Sequence, residues 1–175
     1  MKKLNIKKIL LLLVTSVILV SCSDDDDTIQ FTGDLVGIWN AVSVDYTGTT
    51  VTEAPGVSIT ADYVGEGYDV DFFMTVSEDP NVITANGSYS IELTTTAQGQ
   101  SFTDFQEGLE FVNEASWAMS GNTLTMTVDG VSTDFSITEL TETRLIIEAT
   151  EEEDFSQSGA SITTSTNIVL VFARQ

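Results

Sequence analysis

The thiol of Cys22 is the one soft nucleophile in the chain, and no histidine is present anywhere to activate it. Lys2, Lys3, Lys7 and Lys8 all precede it, so from residue 23 onward the chain contains no histidine, lysine or cysteine. That composition excludes histidine acid–base catalysis, Schiff-base chemistry, cysteine nucleophiles and Cys/His zinc sites in the body of the protein. Serines are abundant but have no histidine partner. Only carboxylates remain, and a paired-carboxylate hydrolase stays open on composition alone. No calcium-binding loop of EF-hand spacing, phosphate-binding loop or dinucleotide fingerprint occurs. Glu151-Glu152-Glu153-Asp154 matches no metal-loop spacing either. The sequence therefore predicts no catalytic residue, no metal site and no cofactor. A single cysteine forms no internal disulfide, so packing must hold the fold together.

The elements around Cys22 say what its thiol is for. Four lysines come first, then an apolar run from Ile9 to Val20, then Leu19-Val20-Ser21-Cys22. A spanning helix needs about 20 apolar residues, and this run is shorter and interrupted by Thr15 and Ser16. A charged region, a short apolar region and a small residue before a cleavage point mark a processed signal. Residues 1–21 resemble a bacterial lipoprotein signal peptide with its lipobox. The resemblance implies that Cys22 is diacylglycerated, becomes the new N-terminus and is then acylated on its amine. The alternative is an ordinary buried thiol. Two or more acyl chains give durable membrane anchoring, whereas one is marginal.

The net charge is −21, from 6 basic and 27 acidic residues. After processing only Arg144 and Arg174 oppose those 27 acids, a net −25. So anionic a surface argues against nucleic acid and anionic lipid headgroups as partners. Ser23-Asp24-Asp25-Asp26-Asp27 follows the cysteine directly. A charge block of this kind reads as a solvated spacer. It also resembles the export signal of surface lipoproteins in Bacteroidota, which implies an outer-membrane protein facing the cell exterior rather than the periplasm. Asp27-Thr28-Ile29 resembles a short O-glycosylation acceptor from the same bacteria, a likeness that three residues also produce by coincidence. Residues 22–34 form the tether. From Ser23 to Asp34 it reaches about 40 Å when extended, at roughly 3.3–3.6 Å per residue.

Residues 35–175 suffice for one domain. They are rich in Thr, Val, Ile, Phe and Tyr, which favour strands. Alternation of period two recurs. Tyr68, Val70, Phe72, Met74 and Val76 share one face, as do Tyr89, Ile91 and Leu93, then Leu124, Met126 and Val128. Asn167–Arg174 is apolar on both faces, as a central or barrel-closing strand should be. Asn86-Gly87, Gly121-Asn122 and Asp129-Gly130 supply hairpin turn chemistry. The expected fold is all-β, an antiparallel up-and-down barrel of about 8–10 strands. Three longer connections are expected at Thr47–Gly56, Ser101–Ala115 and Thr150–Ser161. Phe105, Leu109, Phe111 and Val112 have the spacing of a short helix over the barrel mouth, and Glu151–Asp154 reads as a solvated loop tip.

Leu35-Val36-Gly37-Ile38-Trp39 opens the body. It resembles the Leu-x-Gly-x-Trp start of lipocalins and of the bacterial lipocalin-like domain lipoproteins. Asn86-Gly87-Ser88-Tyr89, Trp117 with Ser120-Gly121-Asn122-Thr123-Leu124, and Phe135 through Leu145 resemble later motifs of that group. The resemblance spans residues 35–175. It implies a lipocalin-like barrel, and Arg174 resembles the late basic residue that packs across the opening Trp as a cation–π contact. The other reading of Arg174 is a solvated terminal charge. Ala41 and Ser43 follow Trp39 on its own face. If that face is inward, the barrel is plugged at one end and roomy above; otherwise Trp39 fills a solid core. Trp39, Tyr89, Trp117 and Phe135 are expected to face inward, with Trp39 at the closed end. Two functional classes follow. One is a binding protein for a small, mostly apolar ligand. The other is a non-enzymatic interaction or structural module of the cell envelope with a filled barrel. Interior volume separates them, because ligand pockets span about 300–1,000 Å³.

Overall fold

The computed structural model describes residues 31–157 and 159–175; the signal segment, Cys22 and Ser23–Asp27, together with Thr28, lie outside them. Nine antiparallel strands follow in chain order: β1 (Gly37–Ala54), β2 (Val57–Ser77), β3 (Val82–Ala97), β4 (Gln100–Leu109), β5 (Glu114–Ser120), β6 (Thr123–Val128), β7 (Val131–Leu140), β8 (Arg144–Gln157) and β9 (Ala160–Arg174). The sheet runs β2-β1-β9-β8-β7-β6-β5-β3-β4, and the additional β2–β3 pairing closes it into a ring. This is the expected barrel. The apolar segment at its end is β9, which joins β8 to β1.

Hairpin chemistry explains most of the connectivity. Asp129 and Gly130 both take positive φ, 51° and 83°, as a type I′ turn between β6 and β7 requires. Gly121 at +60° followed by Asn122 turns β5 into β6. Gln98 and Gly99, at 51° and 77°, join β3 to β4 in the same way.

The three supposed long connections are mostly strand. Thr47–Ala54 continues β1, and Thr150–Gln157 continues β8, so Glu151–Asp154 is not a loop tip. Ser101–Leu109 belongs to β4, and no helix occurs among the described residues. The physical reason is shared. These segments are hairpin arms that pair with each other beyond the core, so their polar patterns, threonine-rich in β1 and acidic in β8, hide the strand signal. Above the closed ring, β4, β3, β2, β1, β9 and β8 form an open six-stranded arm. Its free edges are β4 and the upper part of β8. Acidic side chains on the β8 edge oppose pairing with another copy of this strongly anionic chain.

Asn86-Gly87 is not a hairpin turn. Both residues lie inside β3, paired with Phe73 and Phe72. Gly87 has φ +109°, and a Cβ there would run into the Asp71 carbonyl and the Phe72 backbone. Close strand approach, not chain reversal, selects the glycine.

Two bulges reset the inward face. The extra residue Val42 breaks the β1–β9 register between Ala41 and Ser43, so Ser43 leaves the Trp39 face and Val44 becomes fully buried instead. Near Tyr68 the β2–β3 register shifts again, with Asp69 at φ +48°. Phe72, Met74 and Val76 stay in the core, while Tyr68 faces outward against Phe105 of β4, edge to face at 6.3 Å.

Candidate functional site

The barrel has one sealed end. Trp39 is completely buried there, and its indole Nε1–H donates to the Leu35 carbonyl at 2.8 Å. The Arg174 guanidinium lies 4.2 Å from the Trp39 ring centroid, a cation–π geometry. The same guanidinium donates to the carbonyls of Val36, at 3.0 Å, and Asp34. Thr32 N–H and Gly33 N–H both donate to the Leu140 carbonyl, which holds the N-terminal approach across this end. Arg174 is thus a clasp and not a solvated terminal charge.

An aromatic floor lies above the plug. Phe72 meets Phe172 edge to face at 5.9 Å and Tyr89 at 5.7 Å. Phe111 stacks obliquely on Phe72 at 5.8 Å and meets Phe135 at 6.2 Å. Phe111 belongs to the short link between β4 and β5, which stands where a helix was expected. Gly108 at φ +67° lies where the β3–β4 register shifts near the end of β4, and the link beyond Leu109 sends Phe111 and Val112 inward. A cover over the interior therefore exists, built from a loop.

Between this floor and the solvent lies a cavity of about 270 Å³. Tyr89, Phe111, Val112, Phe135, Ile168 and Leu170 form its apolar wall. Met126, Val128, Val131 and Thr133 come from β6 and β7, and Tyr46 with Glu151 supplies the polar side. Its volume lies just below the range of about 300–1,000 Å³ for drug-sized ligands, so it suits a small molecule. The barrel is neither solid nor roomy.

Tyr46 and Tyr89 join hydroxyl to hydroxyl at 2.8 Å across the cavity. Burial raises the Tyr46 phenol well above its usual range, reinforced by the Tyr89 hydrogen bond and the nearby Glu151 carboxylate. Tyr46 is therefore a neutral hydroxyl while the fold persists, able to donate or accept but not to act as a phenolate nucleophile.

The four expected inward residues divide into two groups. Tyr89 and Phe135 line the cavity together. Trp39 is below the floor, and Trp117 lies toward the sealed end, half-buried, with its Nε1–H on the Ser77 carbonyl at 2.9 Å. Trp117 instead borders a shallow outer groove of about 610 Å³ with Phe31, Leu35 and Leu140. Neither tryptophan reaches the cavity. Tyr46 and Glu151 were not anticipated as site residues, while Phe111 and Val112 do cover the mouth but from a loop rather than a helix. Tyr46 would follow from continuing the Val44 face once the Val42 bulge is known.

A family model described as a lipocalin-like domain matches residues 35–147. That is more than half of the chain, and the protein belongs to this family, whose members are in general binding proteins rather than enzymes. Comparisons with curated proteins and with solved structures give no match.

Proposed function

We propose that this protein is a membrane-anchored lipoprotein whose barrel binds a small, mostly apolar molecule at its mouth. The observation that carries the binding reading is the cavity of about 270 Å³, walled by aromatic and aliphatic side chains and edged by a few polar groups. The anchor rests on the lysine-rich, apolar and small-residue sequence ending at Cys22. The Asp24–Asp27 run supports placement on the outer face of the outer membrane. The chain approaches the barrel at the sealed end, where Thr32 and Gly33 bond to Leu140. A tether there leaves the mouth pointing away from the membrane.

One observation favours a second reading, a contact module for another macromolecule. Phe102 and Phe155 stand on the arm with 70% and 55% of their surface exposed.

Binding is tested with an apolar fluorophore of naphthalene size, expected to associate in the micromolar range. Phe135→Ala should change that affinity at least fivefold while leaving a folded barrel, because it enlarges the cavity wall. No association at high micromolar concentration would reject the cavity and leave the contact module standing. The anchor has its own test. Cys22→Ala should release the protein from the membrane fraction or block processing. Retention of that variant in the membrane at mature mass would overturn the lipoprotein reading. Alanines at Asp24–Asp27 should likewise abolish protease access on whole cells, and unchanged access would reduce the run to a spacer.

A further inference from the structure

The polar side of the mouth cavity has one sign of charge. Glu151 of β8 lines it, and its neighbours on the same sheet face include Glu153. Asp104 of β4, paired with Leu93, is on the continuation of that face across the arm. Glu152 pairs with Ser165 and takes the opposite, outer face. Among the described residues only Arg144 and Arg174 are cationic, and both sit at the sealed end. Arg144 stands beside Glu139 at 3.7 Å, and Arg174 is committed to Trp39 and the Asp34 and Val36 carbonyls. Among the described residues, no cation is therefore available to the Glu151 carboxylate.

The other polar atoms are neutral and compatible with a cation. In the Tyr46–Tyr89 pair one hydroxyl hydrogen is shared, the other stays free, and lone pairs remain on both oxygens. Carboxylate and phenol oxygens together accept from a group with several N–H donors. The rings of Tyr89, Phe111 and Phe135 line the same cavity, and aromatic faces attract cations rather than anions. A fatty-acid-like carboxylate entering this mouth would meet a carboxylate and no counter-charge.

We infer that the ligand of the mouth cavity is a cationic amphiphile, an apolar body of about naphthalene size bearing a protonated amine that Glu151 receives. This rests on the binding reading above and adds to it the charge of the ligand and the residue that selects it. Specificity here comes from repulsion as much as from attraction: the exposed Glu151 carboxylate penalises anions and offers neutral molecules a hydrogen bond at most, with no charge pairing. Glu151 is a specificity-determining residue, while the aromatic wall holds the body.

The test uses isothermal titration calorimetry on the chain from Cys22 onward carrying Cys22→Ser, since the buried core runs from Leu35 to Phe172. Three probes share one apolar body: 1-naphthylmethylamine, 1-naphthylmethanol and 1-naphthoate. The amine should bind about tenfold more tightly than the alcohol, equivalent to about 1.4 kcal/mol, and the carboxylate more weakly than either. Glu151→Gln should bring amine and alcohol within about twofold, whereas Glu152→Gln on the outer face should preserve the difference. Raising the salt concentration should narrow the amine's advantage. Equal binding of all three probes, or preference for the carboxylate, overturns the inference while the cavity reading survives. Amine preference that persists in Glu151→Gln also overturns it, since the selecting residue would lie elsewhere. Failure of every probe to bind overturns both.

Discussion

Replacing Trp39 with alanine is expected to lower the unfolding free energy by about 3–5 kcal/mol, the usual range for removing a fully buried aromatic side chain. Three interactions vanish together: the sealed-end packing, the indole hydrogen bond to Leu35 and the stacking of Arg174. Without the ring beneath it, the guanidinium loses its support and the N-terminal approach loses its clasp. At about 2–4 °C per kcal/mol for a chain of this size, the melting temperature should fall by roughly 6–20 °C. Trp117→Ala supplies the comparison, because that ring is only half-buried and borders an open groove. Denaturant midpoints for the two variants decide the matter. Equal losses would mean that Trp39 is not the keystone of the sealed end.

Gly87→Ala should be strongly destabilising although it adds only one methyl group. The residue occupies φ +109°, a conformation that costs a non-glycine residue about 1–3 kcal/mol. The added Cβ would also collide with the Asp71 carbonyl and the Phe72 backbone. Shifting a packed strand to relieve such a collision costs about 1–3 kcal/mol more. Gly121→Ala separates the two contributions. That glycine also has positive φ, at +60°, yet no atom lies within 4 Å of its added Cβ. Thermal melts should therefore place Gly87→Ala well below Gly121→Ala. If the two melt together, close approach is not what requires Gly87.

The same glycine shows where reading the sequence works and where it fails. Alternation at Leu124, Met126 and Val128, with Asp129-Gly130 behind it, was enough to place the β6–β7 hairpin, because both the buried face and the turn are local properties. Asn86-Gly87 carries the same letters as a turn, yet its need for glycine comes from Asp71 and Phe72 on another strand. Single-residue bulges were equally hidden. Val42 looks like any apolar strand residue, but its insertion sends Ser43 outward and Val44 inward. The outer halves of β1 and β8, and β4, read as loops because polar and acidic side chains pair across an arm that has little core to bury. For the site, Tyr89 and Phe135 were legible as inward aromatic residues. Trp39 and Trp117 share the apolar character but lie toward the other end, and distance along the barrel axis cannot be read from alternation. Glu151 was legible only as charge, since its role depends on which sheet face it takes.

The path of β1 has a mechanical consequence. The strand starts at the sealed end beside Arg174, passes the cavity at Tyr46 and continues to the arm tip at Ala54. It is flanked by β2 on one side and β9 on the other. A pull between the N-terminal approach and anything held at the mouth therefore runs parallel to β1. Ladder hydrogen bonds lie across the strands, so such a pull loads both flanking ladders in shear and many bonds share the force at once. Peeling would break them one at a time; this geometry does not permit it. A domain held from its sealed end and tugged from its mouth, by flow or by a bound partner, is loaded along its most resistant direction.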